Sequence, residues 1–169
     1  MKKFTAISTL ILSAAVTLPA FAADTDWFVG GGVGYQQDEV KGVNDQNGED
    51  ATYQLRGGAI INDHHRVMGT YSYMDKSSQD MFLASYDYLI PVAQQVNLFA
   101  GVSAGFADSE IASTSSTDFV WGGQVGAMYE INDSWSTELA YRYLEQDYSE
   151  NSTKIDYSQQ VVWSVDYKF

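Results

Sequence analysis

Residues 161–169 read Val-Val-Trp-Ser-Val-Asp-Tyr-Lys-Phe. Val161, Trp163, Val165, Tyr167 and Phe169 fall at every second position, and Ser164, Asp166 and Lys168 lie between them. Successive side chains of a β-strand point to opposite faces, so this stretch predicts a strand with one apolar and one largely polar face. A frayed chain end would be polar. An alternating strand that stops on Tyr-x-Phe is expected to be held by a neighbour, and closing a barrel supplies one.

Seven earlier segments alternate in the same way, over residues 27–36, 51–61, 66–74, 81–90, 96–106, 119–130 and 135–144, and the last strand spans 155–169. In the first, Trp27, Val29, Gly31, Val33 and Tyr35 oppose Phe28, Gly30, Gly32, Gly34 and Gln36. Pro91 has no amide donor and is expected to end the fourth. Connections alternate between long polar stretches (37–50, 75–80, 107–117, 145–154) and short turns such as Asn62 to His65 and Asn132 to Ser134. Eight segments of about ten residues, joined in this way, match an all-β, eight-stranded antiparallel up-and-down transmembrane β-barrel.

Alternation alone does not say which face is inside, because a soluble barrel alternates too. Composition of the second face decides it. A water-exposed outer wall would be rich in Lys and Glu, whereas this face is mostly Gly, Ser, Gln and Thr with isolated charges, which suits a narrow packed interior. The aromatic face is therefore placed outward, into lipid. Trp27, Tyr88, Tyr129, Trp135, Tyr167 and Phe169 then gather near the short turns. Tyr35, Tyr53, Tyr73, Phe82, Phe106, Phe119, Tyr143 and Tyr157 gather near the long connections, as two interfacial girdles would.

The start of the chain points to export. Lys2 and Lys3, the apolar run 7–18 and Ala20-Phe21-Ala22 make a signal peptide over 1–22, leaving 23–169 as one barrel domain. Of nine Lys and Arg, removing Lys2 and Lys3 leaves seven against 22 acidic residues, a net charge of −15. That sign is wrong for a nucleic-acid partner, and none is expected. With no cysteine, neither disulfides nor thiolate metal sites hold the fold.

The opening Trp27-Phe28-Val29-Gly30-Gly31-Gly32-Val33-Gly34-Tyr35, the run Glu138-Leu139-Ala140-Tyr141-Arg142-Tyr143 and the terminal Val165-Asp166-Tyr167-Lys168-Phe169 together resemble the small bacterial outer-membrane β-barrel family related to the OmpA transmembrane domain. The resemblance covers essentially all of 23–169. It differs from full-length OmpA in having no periplasmic peptidoglycan-binding domain after the barrel, so no cell-wall tether is implied. It implies an integral protein of the Gram-negative outer membrane. Trp163, Val165, Tyr167 and Phe169 resemble the C-terminal signal for membrane insertion, which implies the barrel-assembly machinery as a partner during biogenesis. Outer-membrane lipid and lipopolysaccharide are the other expected partners, with the chain as a monomer.

An eight-stranded barrel is barely wide enough for its own side chains, so the inward charges Arg56, Asp87, Glu138, Arg142, Asp166 and Lys168 are expected to pair as a lumen charge network. Arg142 would then balance Glu138 or Asp166. Asp63, His64 and His65 share a short turn, where adjacent side chains are expected to point apart, and neither a catalytic nor a metal site is expected there. Asp45 to Asp50 fails the spacing of a calcium loop, and the Asn151-Ser152-Thr153 sequon carries little meaning in a bacterial chain. No cofactor is expected.

The functional expectation is a non-enzymatic surface barrel with a packed polar lumen, acting structurally or through its extracellular connections. Asp38, Glu39, Asp45, Glu49, Asp50, Asp75, Asp80, Asp108, Glu110, Glu145, Asp147 and Glu150 stand there against Lys41, Lys76 and Lys154. The alternatives are a narrow porin-like channel for ions or small solutes and, more remotely, a lipid-modifying barrel enzyme.

Overall fold

The structure, a computed structural model, describes residues 25–41, 48–74, 79–111, 114–146 and 154–169. The signal peptide, Asp45 to Asn47 of the Asp45 to Asp50 stretch and the sequon lie outside them. Eight strands follow in order: β1 (Thr25–Lys41), β2 (Gly48–Ile61), β3 (His65–Met74), β4 (Gln79–Ala93), β5 (Val96–Ile111), β6 (Thr114–Glu130), β7 (Trp135–Gln146) and β8 (Lys154–Lys168). Each pairs antiparallel with the next, and β8 returns to β1, so the sheet is a closed barrel without an edge. Gly31 faces Val165 across the closing seam, and the Phe169 amide donates to the Trp27 carbonyl at 2.9 Å.

The facing read from composition holds. Val33, Tyr53, Leu55, Val102, Trp121, Leu139 and Trp163 are among the exposed large apolar residues, while Gln36, Thr52, Gln54, Ser72, Gln124 and Gln160 are buried. Lipid, not water, solvates such a wall, and it offers no partner to a polar side-chain tip. Three of these tips are satisfied within the protein. Trp163 Nε1 donates to Thr137 Oγ1 at 2.9 Å, and that hydroxyl donates on to the Ser164 carbonyl. Tyr141 Oη donates to Gln159 Oε1 at 2.8 Å and Tyr71 Oη to Asp80 Oδ1 at 2.6 Å.

Two expectations need correction. First, the strands run well beyond the apolar band. Asp38, Glu39, Glu49, Asp50, Asp80, Asp108, Glu110 and Glu145 belong to strands, whereas Asp45, Asp75, Lys76, Asp147 and Glu150 fall outside the described residues. About ten tilted residues cross a bilayer, yet β1 and β6 each have 17, so their hairpins rise beyond the membrane. Backbone hydrogen bonds need no apolar side chains, so polar composition hid these extensions.

Second, β4 continues through Pro91 to Ala93, with a register shift at that point. The Leu89 amide makes a bond on the β3 side, to the His64 carbonyl. Pro91, two residues on, directs its nitrogen to the same side, where β3 has already ended at His65. Its missing donor therefore costs no ladder bond.

Candidate functional site

Inward side chains form two apolar clusters in the lumen. Near the short turns lie Phe28, Ile60, Met68, Leu89, Phe99, Met128 and Ala140. Toward the long connections lie Met74, Met81, Leu83, Ala107, Val120 and Leu144. The charged residues also point inward, and as buried ions they are tolerable only if their hydrogen bonds are met.

They form one continuous chain. Arg56 of β2 grips Asp166 of β8 with two bonds, Nε to Oδ1 at 2.8 Å and Nη2 to Oδ2, and its Nη1 donates to Glu138 Oε1 on β7 at 2.7 Å. The second oxygen of Glu138 accepts from Arg66 Nη1 of β3. Arg66 Nε then donates to Asp87 Oδ2 of β4 at 2.9 Å. Its Nη2 lies 2.8 Å from the same oxygen, an ion-pair distance whose angle makes no second hydrogen bond. Gln124 of β6 extends the line, donating to Asp87 Oδ1 at 2.6 Å and accepting from Arg142 Nε at 2.9 Å. Three guanidiniums thus stand against three carboxylates, drawn from five strands with Gln124 on a sixth, and the Arg66 guanidinium lies 4.5 Å over the Phe99 ring.

Room for the two aspartates is made by glycine. Gly30 is the cross-strand partner of Asp166, and Gly101 of Asp87. A Cβ at residue 30 would come within 1.9 Å of Asp166 Oδ1, and one at residue 101 within 2.0 Å of Asp87 Oδ1. Both distances are far inside contact, so any side chain there would push the carboxylate from its arginine.

Arg56, Asp87, Glu138 and Asp166 therefore share one network. Arg142 is buried in the lumen but touches the neutral Gln124, and among the described residues no carboxylate is its direct partner. Lys168 sits apart, at the rim, 3.3 Å from Glu130. The missed residue is Arg66, which links the two halves. It falls on the inward face with Met68 and Thr70 but stands next to a polar turn, where an arginine reads as solvated.

At the same end, both histidines converge on Tyr88 instead of pointing apart, with ring centroids at 5.9 Å for His64 and 5.5 Å for His65. His64 Nδ1 donates to the Asn62 carbonyl at 2.7 Å, and His65 Nδ1 bonds the Tyr86 hydroxyl at 2.7 Å. Asn62 and Asp63 carry positive φ in the turn, which Asn and Asp tolerate better than most residues. Trp163, Val165, Tyr167 and Phe169 lie on the outer face of β8 and its end, where Tyr167 packs between Trp135 and Phe169.

A closed eight-stranded barrel with an apolar wall and a charge-paired interior is the architecture of a small integral outer-membrane protein. Residues 8–169 match the model of the outer membrane protein beta-barrel domain, and the chain belongs to that family. No curated protein matches it. Among solved structures it is similar to outer membrane protein H of P. aeruginosa, at 22% identity and a TM-score of 0.65, over 87% of this chain and 100% of that one. Neisserial surface protein A aligns at 18% identity and a TM-score of 0.64, over 85% and 97%. Ail, the attachment invasion locus protein of Yersinia pestis, aligns at 14% identity and a TM-score of 0.58, over 87% and 100%. At these identities the likeness is one of fold.

Proposed function

We propose that the protein is a non-enzymatic outer-membrane barrel whose interior is a structural plug and whose business end is its acidic extracellular rim. The carrying observation is the unbroken chain from Asp166 to Arg142, interleaved with the apolar cluster near the short turns. Ions that hold one another from Asp166 to Asp87 make a poor path for a permeant ion, which would have to displace a partner in low dielectric. Asp80, Asp108 and Glu145 are exposed on the outer wall of the strands leading to that rim. A negative rim favours basic surfaces and divalent cations bridging to lipopolysaccharide phosphates. The histidines, engaged with Asn62 and Tyr86 at the opposite end, support a reading without catalysis. Neisserial surface protein A and the attachment invasion locus protein carry surface roles in their names, which is compatible with this reading and specifies no ligand here.

Conductance tests the plug. Purified protein in planar bilayers is expected to pass no steady current, and Glu138→Gln is expected to introduce brief, small openings. A stable, large conductance in the unmodified protein would favour the channel. Binding of lipopolysaccharide-coated surfaces by the protein, with and without its long connections, tests the rim.

A further inference from the structure

The register of the closed sheet decides which inward residues share a level. A row of cross-strand partners starting at Gln36 passes through Gln160, Arg142, Gln124, Asp87 and Arg66 and re-enters β1 at Asp26. It returns ten residues nearer the short turns than it began, so each strand crossed lowers the row by roughly one and a quarter residues. Strand β3 stands four strands from β7 in either direction, directly across the lumen. Corrected by about five residues for that drop, the level of Arg142 on β3 falls between Thr70 and Ser72 instead of at Arg66. The other way round, three strands bring the row to Asp50 of β2, and a correction of about four residues brings the level to Gln54.

Four groups on this level have no hydrogen-bond partner among the described residues: Arg142 Nη1, Gln54 Nε2 and the hydroxyls of Thr70 and Ser72. None of the four side chains is more than 6% exposed, so water outside the barrel does not serve them. The two nitrogens can only donate, and either hydroxyl can turn to donate. Gln160 Oε1, an unpartnered carbonyl, stands about one residue nearer the long connections. The carboxylates are committed elsewhere. Asp166 and Glu138 are held by Arg56 and Arg66, and Gln124 stands between Asp87 and Arg142. On the loop side the level is closed by Met74 and Leu144, which belong to the apolar cluster there.

We propose that Arg142, Gln54, Thr70 and Ser72 form a lumen site for one small monovalent anion of the halide class, chloride in ordinary saline. A convergent set of donors with one full positive charge is what such an ion requires, because it accepts several hydrogen bonds and donates none. One negative charge balances Arg142. A second would stand against a neighbouring network in which two guanidiniums already share three carboxylates, so sulfate is disfavoured. The inference rests on the inner wall and not on the reading of the acidic rim.

The test uses the full barrel refolded into detergent micelles, with bromide as the probe and gluconate, too large for the site, as the reference anion at equal ionic strength. General salt effects act on every variant alike, so the readout is the bromide response of the unmodified protein relative to that of Arg142→Met in urea titrations. Its folding equilibrium constant is expected to gain about tenfold over the variant once bromide reaches ten times its dissociation constant. Sulfate should give the two proteins equal responses. The double variant Thr70→Val, Ser72→Ala keeps the arginine and should weaken the apparent bromide affinity roughly five- to thirtyfold, and it replaces Arg142→Met as the comparison if that chain does not refold. Crystals of barrel refolded in bromide should show an anomalous peak between Arg142 and Ser72. Equal bromide responses in all three proteins would overturn the proposal, as would bromide confined to the exposed surface with only water beside Arg142. A sulfate response that follows Arg142 as the bromide response does would overturn the assignment to a monovalent ion.

Discussion

Glu138 bonds two arginines through its two oxygens, whereas each aspartate is gripped by one. Replacing it by Gln removes the carboxylate that Arg56 and Arg66 share, leaving one aspartate to each in a dry interior, and unfolding in urea from detergent micelles is expected to become easier by about 3–5 kcal/mol. Arg142→Met removes a charge whose bond runs to Gln124, so about 1–2 kcal/mol is expected in the same titration. A larger loss for Arg142 than for Glu138 would show that the network is ordered differently. Gly30→Ala drives a methyl into Asp166 and the Val165 carbonyl and should cost about 1–3 kcal/mol. Gly31→Ala points outward, with its nearest contact at 3.5 Å, and should be close to neutral. Side-chain parity in the sequence was enough to place Arg56, Asp87, Glu138, Arg142, Asp166 and Lys168 on the inner face. It could not give depth along the barrel, which separates Lys168 from the rest, nor reach across the lumen, which brings Arg66 of β3 to Glu138 of β7.

At the level of the strand, the eight alternating segments were legible because every one has lipid on one side and packed polar groups on the other. Their loop-side ends were not, since the apolar alternation of the sequence stops there while the hydrogen-bond ladder continues. Pro91 misled for a similar reason: its cost depends on whether a neighbour is present on its amide side, and that is a property of the sheet. For β8, Phe169→Ser is expected to lower the folded, heat-modifiable fraction in outer-membrane preparations well below that of Lys168→Ser. Phe169 extends the aromatic contact with Tyr167, whereas Lys168 only pairs with Glu130 at the rim. Equal losses would refute the assignment of Trp163, Val165, Tyr167 and Phe169 as an insertion signal.

For the molecule as a whole, the charge network joins residues distant along the chain, with Arg56 and Asp166 separated by 110 positions and Arg66 and Glu138 by 72. Contacts of such long range form late, because the intervening chain must first be ordered. A half-built sheet ending at β4 would hold Arg56 and Arg66 with Asp87 as the one carboxylate of the network yet delivered. Its interior would carry unbalanced positive charge until β7 brings Glu138 and β8 brings Asp166. Premature burial in the bilayer is therefore expected to carry an electrostatic penalty until β8 delivers Asp166 and the three arginines stand against three carboxylates.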